Sequence, residues 1–219
     1  MRVLIVTAVP AERDAVTRAF GTGTTDRDAG TGSYDVIAAG VGPAAAAAGT
    51  ATALARGSYG LVVSAGIGGG FHAAPGSLLV ADAIVAADLG AETPDGFVPV
   101  TGLGFGSVEH RPPAALVRAV ADATGATPGT VLTASTVTGT AERAARLLAA
   151  HPAAVAEAME GFGVAEAAAQ AGVPVLEIRA VSNAVGPRDR DAWRIGDALS
   201  ALTTAFGKLA PVLEGWNRT

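Results

Sequence analysis

Runs of Val, Ile and Leu recur along the chain with almost no polar residue inside them, and they alternate with Ala-rich stretches of helical character. Apolar runs of this kind are strands buried on both faces, because a strand with one wet face would show polar residues at every second position. The predicted strands are "RVLIVTA", "YDVIAAG", "GLVVSAG", "SLLVADAIVAA", "TVLTAS", "AVAEAM" and "VPVLEIRAVS". Helices are predicted over 10–20, 43–56, 112–123, 140–150, 161–171 and about 193–216, with Pro211 expected to kink or end the last. The alternation predicts an α/β fold, a three-layer α/β/α sandwich around a central mixed, largely parallel sheet, whose ligand site lies at the carboxyl ends of the strands. Segment 66–111 carries many Gly and Pro residues and is expected to be irregular and to supply pocket-lining loops.

Length and composition narrow this picture. The 219 residues, half of them hydrophobic, suffice for one well-buried domain and are short for two, so 1–219 is read as a single domain. A net charge of -5 and the lack of any Lys/Arg cluster beyond the short "PRDR" argue against a nucleic-acid partner. With no cysteine there is no disulfide framework, no thiolate nucleophile and no Cys-based metal site. The apolar start "MRVLIVTAVP" runs at once into Glu12, Arg13 and Asp14, which suits a first strand better than a signal peptide. Asp82 and Asp88 interrupt the longest candidate for a membrane span. A soluble, cytoplasmic protein without a membrane partner is expected. His72, His110 and His151 share no ligand-like spacing, so no metal and no cofactor are expected. Ser64 lies outside a G-x-S-x-G elbow.

Four strand exits carry candidate chemistry, and each has a plain alternative. In "VTAVPAER", Glu12 falls in the first turn of a helix, where the dipole alone favours a carboxylate. In "VVSAGIGGGF", four glycines in five positions, Gly69 among them, would let a backbone approach an oxygen-rich ligand or would simply form a turn. In "AEAMEGFG", Glu160 could accept from a vicinal diol while Met159 covers the apolar face of a sugar; a helix-end acid beside a core methionine fits equally. In "IRAVSNAVGPRDRD", Asn183 both donates and accepts, which suits a heterocycle edge as well as a turn.

In this order, "VTAVPAE", "GVGPAAAA", "SAGIGGGF", "AMEGFG" and "IRAVSN" resemble the nucleoside phosphorylase/hydrolase superfamily, in particular its purine nucleosidase branch, from Arg2 to about Phe206. The runs "SNAVGPRDR" and "DLGAETPDGF" further resemble a hydrolase family of that branch that releases hypoxanthine from a benzoate-bearing nucleoside of menaquinone biosynthesis. The resemblance implies a small-molecule purine nucleoside as substrate and a homo-oligomer. It assigns to Glu12 the activation of water, to Glu160 the ribose hydroxyls, to Met159 the floor under the sugar and to Trp193 the 5′ substituent. Val137 and Thr138 fall where relatives build the base pocket, and the aromatic often found at the former position is lost. At Asn183, methylthioadenosine/S-adenosylhomocysteine nucleosidases carry a proton-donating aspartic acid. An amide has no proton to give, and the resemblance implies instead N–H donation to O6 or N7 of a 6-oxopurine. Arg188 or Arg190 could pair with a 5′ carboxylate or join an ion network with Asp189 and Asp191; Arg179, two residues after Glu177, could support Glu160. The rival readings are a methylthioadenosine/S-adenosylhomocysteine nucleosidase, a purine nucleoside phosphorylase, against which the Gly-Asp-Pro phosphate pattern is missing, and a non-catalytic nucleoside-binding domain.

Overall fold

The computed structural model describes residues 1–20 and 34–216. Along the chain these form β1 (Val3–Thr7), α1 (Pro10–Ala19), β2 (Tyr34–Ala38), α2 (Pro43–Arg56), β3 (Leu61–Gly70), β4 (Leu78–Ala86), β5 (Gly90–Thr93), β6 (Gly96–Pro99), β7 (Glu109–His110), α3 (Ala114–Thr124), β8 (Thr127–Thr133), α4 (Ala141–Ala150), β9 (Ala154–Ala158), α5 (Gly161–Gln170), β10 (Val175–Ala184) and α6 (Ile195–Gly215).

The main sheet runs β10-β4-β8-β9-β3-β1-β2, mixed in direction, and β10 also pairs with β3. Strands β3, β10, β4, β8 and β9 therefore close on one another in a ring, from which β1 and β2 extend as an open flap. The closure has a local cause. β1 pairs with β3 only as far as Ser64, so the last residues of the ten-residue β3 have a vacant edge. β9 takes that edge in antiparallel register, Gly69 opposite Glu157 and Gly70 opposite Ala156. An unpaired buried edge would strand backbone N–H and C=O groups; β9 pairs with Gly69 and Gly70, and the Ile67 N–H goes to a side chain.

Helices cover both faces, as the period-two alternation of β1 requires. Val3 and Ile5 point to the side of α1, α3 and α6, where they meet Leu116, Leu202 and Phe206. Leu4 and Val6 point to the side of α2 and α5, against Ala46, Val164 and Ala165. Each large apolar side chain fully buried in this way is worth about 1.5–3 kcal/mol. Leu147 and Leu148 of α4 cover a third, smaller cluster of Ala83, Val85, Leu132 and Ala154.

Three expectations are corrected. Gly66–Gly70 is strand and not turn, because all five residues pair with β10 and the last two pair with β9 as well. Segment 66–111 is more regular than its Gly and Pro content suggests: it adds β7 to the sheet and folds 90–99 into the β5–β6 hairpin. Pro211 does not end α6, which continues to Gly215.

Contacts between α2 and α5 depend on small residues at the crossing. A Cβ on Gly163 would lie 2.1 Å from the Pro43 carbonyl oxygen, whereas one on Gly207 of α6 would meet nothing within 4 Å. Gly163→Ala is expected to destabilise by about 1–3 kcal/mol through overpacking. Gly207→Ala should stabilise by up to about 1 kcal/mol through helix propensity. Urea unfolding of the two variants measures both, and equal signs would contradict the packing.

Burial of His151 at the end of α4 holds its imidazole below the ordinary value of 6.5. The fold thus favours the neutral ring, and its contribution to stability is complete above pH 6.5 and lost as pH falls through the lowered folded-state value. His151→Gln should flatten the decline of Tm between neutral pH and about pH 5 relative to the parent protein.

Candidate active site

The exits of β1, β3, β9 and β10 meet at one mouth of the ring. Glu12, Gly69, Val137, Thr138, Met159, Glu160, Asn183 and Trp193, the eight residues singled out in the sequence, all line one cavity of about 340 Å³ there. A larger hollow of about 420 Å³, bordered by Asp88, Phe97, Arg143 and His151, contains none of them.

Glu12 sits in the first turn of α1 and is buried. Its Oε2 accepts from the backbone N–H groups of Ala8 (2.9 Å) and Val9 (3.3 Å), and its Oε1 from that of Ile67 on β3 (2.9 Å). The bond to Ile67 reaches well beyond the helix end, so dipole compensation alone does not account for the side chain's position. Glu160 caps α5 from the exit of β9; its Oε1 accepts from the Gly42 N–H at 3.2 Å. Gly42, at φ 88, adopts a left-handed conformation natural only to glycine, and this turns its N–H towards Glu160.

Arg179 lies between these acids at 1% exposure. Its Nε donates to Glu177 Oε1 (2.9 Å), Nη1 to Glu160 Oε2 (3.3 Å) and Nη2 to Ser64 Oγ (3.1 Å). Gly66 makes room for it beside Glu12: a Cβ there would come within 2.6 Å of both Arg179 Nη1 and Glu12 Oε1. Burial would lower the guanidinium's pKa, but Glu177, Glu160 and Glu12 around it outweigh this and raise it. Burial raises the carboxyl pKa of Glu177, against the pull of Arg179 and with the push of Glu160. Glu177 Oε2 has no hydrogen-bond partner among the described residues.

Asn183 follows a bulge at Ser182 in β10. Its Oδ1 accepts from the Ser182 hydroxyl (2.8 Å) and its Nδ2 donates to the Ala184 carbonyl (2.9 Å). A carbonyl only accepts, so the nitrogen must face Ala184 and the amide cannot exchange its ends without loss. One N–H of Nδ2 is left for a ligand. At the outer rim, Arg188 and Arg190 stack on the Trp193 ring, 5.2 and 5.9 Å from its centroid. This replaces the alternative of an ion network with Asp189 and Asp191. Arg188 lines the cavity.

Two acids escaped the sequence reading as site residues. Glu157 lines the cavity, and Glu177 lies behind it. Their signal was charge inside an otherwise apolar strand, one acid in "AVAEAM" and an acid with an arginine in "VLEIRAVS". A charge there has to find a partner, although the strand pattern does not say which. No group of three or more His, Asp or Glu among the described residues is placed to hold a metal ion.

An acid-lined cavity at the mouth of a closed mixed sheet defines a class as well as a shape. Residues 2–213 match the family model described as the phosphorylase superfamily. Among solved structures, a methylthioadenosine/S-adenosylhomocysteine nucleosidase from Colwellia psychrerythraea in complex with adenine is 22% identical with a TM-score of 0.79, over 98% of this chain and 95% of its own. The Helicobacter pylori nucleosidase is 17% identical with a TM-score of 0.82, over 99% of each chain. Curated relatives are nearer in sequence: futalosine hydrolase of Streptomyces coelicolor is 67% identical over 99% of this chain and 98% of that protein, and futalosine hydrolase of Acidothermus cellulolyticus is 47% identical over 94% and 89%. The chain belongs to the phosphorylase superfamily and, within it, to the futalosine hydrolase family.

Removing the cation at the centre should expose how the site is held. Arg179→Met leaves Glu177 and Glu160 buried without their partner and is expected to cost about 3–5 kcal/mol. Chemical denaturation checks this, and a loss below about 1 kcal/mol would contradict a shared counter-ion.

Proposed function

We propose that the protein hydrolyses the N-glycosidic bond of futalosine, releasing hypoxanthine and dehypoxanthine futalosine in menaquinone biosynthesis. It acts as a single-domain, cytoplasmic homo-oligomer that uses neither metal nor cofactor. The observation that carries this reading is an amide whose nitrogen is fixed as a donor by the Ala184 carbonyl, in the same cavity as two buried acids. The 67% identity to a futalosine hydrolase supports the choice of substrate.

In the reaction the bond between C1′ and N9 breaks, its electron pair leaves with the purine, and positive charge builds on the ribose. Glu12 accepts a proton from water as the oxygen attacks C1′, a general-base contribution of roughly 10²–10⁴-fold. Glu160 accepts from the ribose hydroxyls and sets negative charge beside the cationic sugar, with Met159 packed beneath it. Asn183 donates N–H to the departing 6-oxopurine, stabilising the charge it gains; loss of a comparable donor costs about 2.7–4 kcal/mol. Trp193 offers a flat apolar surface to the 5′ benzoate, and Arg188 its guanidinium to the carboxylate.

Purified protein is expected to release hypoxanthine from futalosine at the same rate with and without phosphate. Adenine release from methylthioadenosine at equal or better efficiency would overturn the substrate. Glu12→Gln should lower turnover by at least about a hundredfold, and a mild loss would return Glu12 to the role of a helix-end acid.

A further inference from the structure

Glu157 has no part in the reaction above, yet it is a buried acid at the cavity wall. Thr138 donates to it twice, from the backbone N–H to Oε1 at 2.7 Å and from the hydroxyl to Oε2 at 2.5 Å. A carboxylate offers about four acceptor sites, so roughly two remain. No cation pairs with it among the described residues: Arg179 donates to Glu177, Glu160 and Ser64 instead.

The sheet register states where those free sites lie. Gly69 pairs with Asn183 on β10 at one side and with Glu157 on β9 at the other. Residues in register on adjacent strands project to the same face, and two strand spacings separate Asn183 from Glu157 by roughly 10 Å. Between them stands a residue without a side chain. A Cβ on Gly69 would come 2.8 Å from Val185 Cγ2 and 3.4 Å from Asn183 Nδ2, so glycine lets the Asn183 amide lie close over β3 at the wall of the cavity that Glu157 also lines. A donor amide and an acid with spare acceptor sites thus line one cavity.

We infer that Glu157 determines base specificity by accepting the N1–H of a 6-oxopurine whose O6/N7 edge receives the Asn183 N–H. This rests on the hypoxanthine reading above and assigns it a second residue. Hypoxanthine presents an acceptor at O6 beside a donor at N1, the complement of this pair. Adenine presents a donor at its 6-amino group beside a lone pair at N1, which would face the carboxylate's own lone pairs. Thr138 acts as a positioning residue: its backbone N–H and hydroxyl are spent on holding the carboxylate. Sites built around a hydrogen bond reject a ligand that cannot make it by large factors, because the buried protein group is left unpaired.

The test is calorimetric binding of hypoxanthine, adenine and 1-methylhypoxanthine to the parent protein and to Glu157→Gln. The parent should prefer hypoxanthine to adenine by about a hundredfold or more, and should bind 1-methylhypoxanthine at least about thirtyfold more weakly. In Glu157→Gln, whose side-chain amide can donate to adenine N1, the preference should fall below about tenfold or invert. An unchanged ratio overturns the assignment. Should the variant fail to fold, parent protein that binds 1-methylhypoxanthine as tightly as hypoxanthine overturns it alone. Turnover of futalosine with an unchanged ratio sinks only the role of Glu157, whereas a shifted ratio without futalosine turnover sinks the proposed reaction and leaves the base reading standing. Failure of the parent to bind hypoxanthine at all sinks both.

Discussion

One buried guanidinium organises this molecule's functional end. Arg179 reaches the acids of three separate elements: Glu177 on its own strand, Glu160 at the start of α5 and Glu12 at the start of α1. Three carboxylates gathered in a dry interior would repel one another, and none could stay charged cheaply without a cation among them. Arg179 supplies that cation in a planar fork that holds Glu177 and Glu160 at once, which a lysine's point charge would not reproduce. Burial raises the Glu177 carboxyl pKa, and Arg179 beside it pulls the other way.

The second constraint is geometric. The ring closes because β3 outruns β1 and gives its last residues to β9 and β10 together. Glycines let the neighbouring strands and side chains approach closely, and two of them, Gly68 and Gly69, complete the backbone ladder while also lining the cavity. Closure and pocket formation are a single event in this fold. The bulge at Ser182 then adjusts the end of β10 so that Asn183, and not its neighbour, pairs with Gly69.

Much of this was legible in the residues. Apolar runs located the seven principal strands to within a few positions, since a strand sealed on both faces leaves little freedom of composition. Glu12, Glu160 and Asn183 stood out because each is polar at the point where an apolar run ends, and strand ends are where such folds bind ligands. The glycine run was harder. Turn and strand share the same glycines, and only the presence of ladder partners, on β10 throughout and on β9 at the end, separates them. The 90–99 hairpin was missed for a similar reason: two four-residue strands without strong β-formers read as loop.

The sequence by itself determined the layered α/β architecture, the acids and the amide at the strand exits, and the family, because these depend on local hydrophobic period and on short motifs whose neighbours adjoin them in the chain. Only the tertiary structure decided which groups face one another. Glu157 lies 26 residues from Asn183 in the chain and two strand spacings away in the fold, and a residue's partners across a sheet are set by register, which local composition does not encode. The shared counter-ion of three acids and the meeting of Asn183 and Glu157 on one cavity wall are likewise set by how distant elements come together.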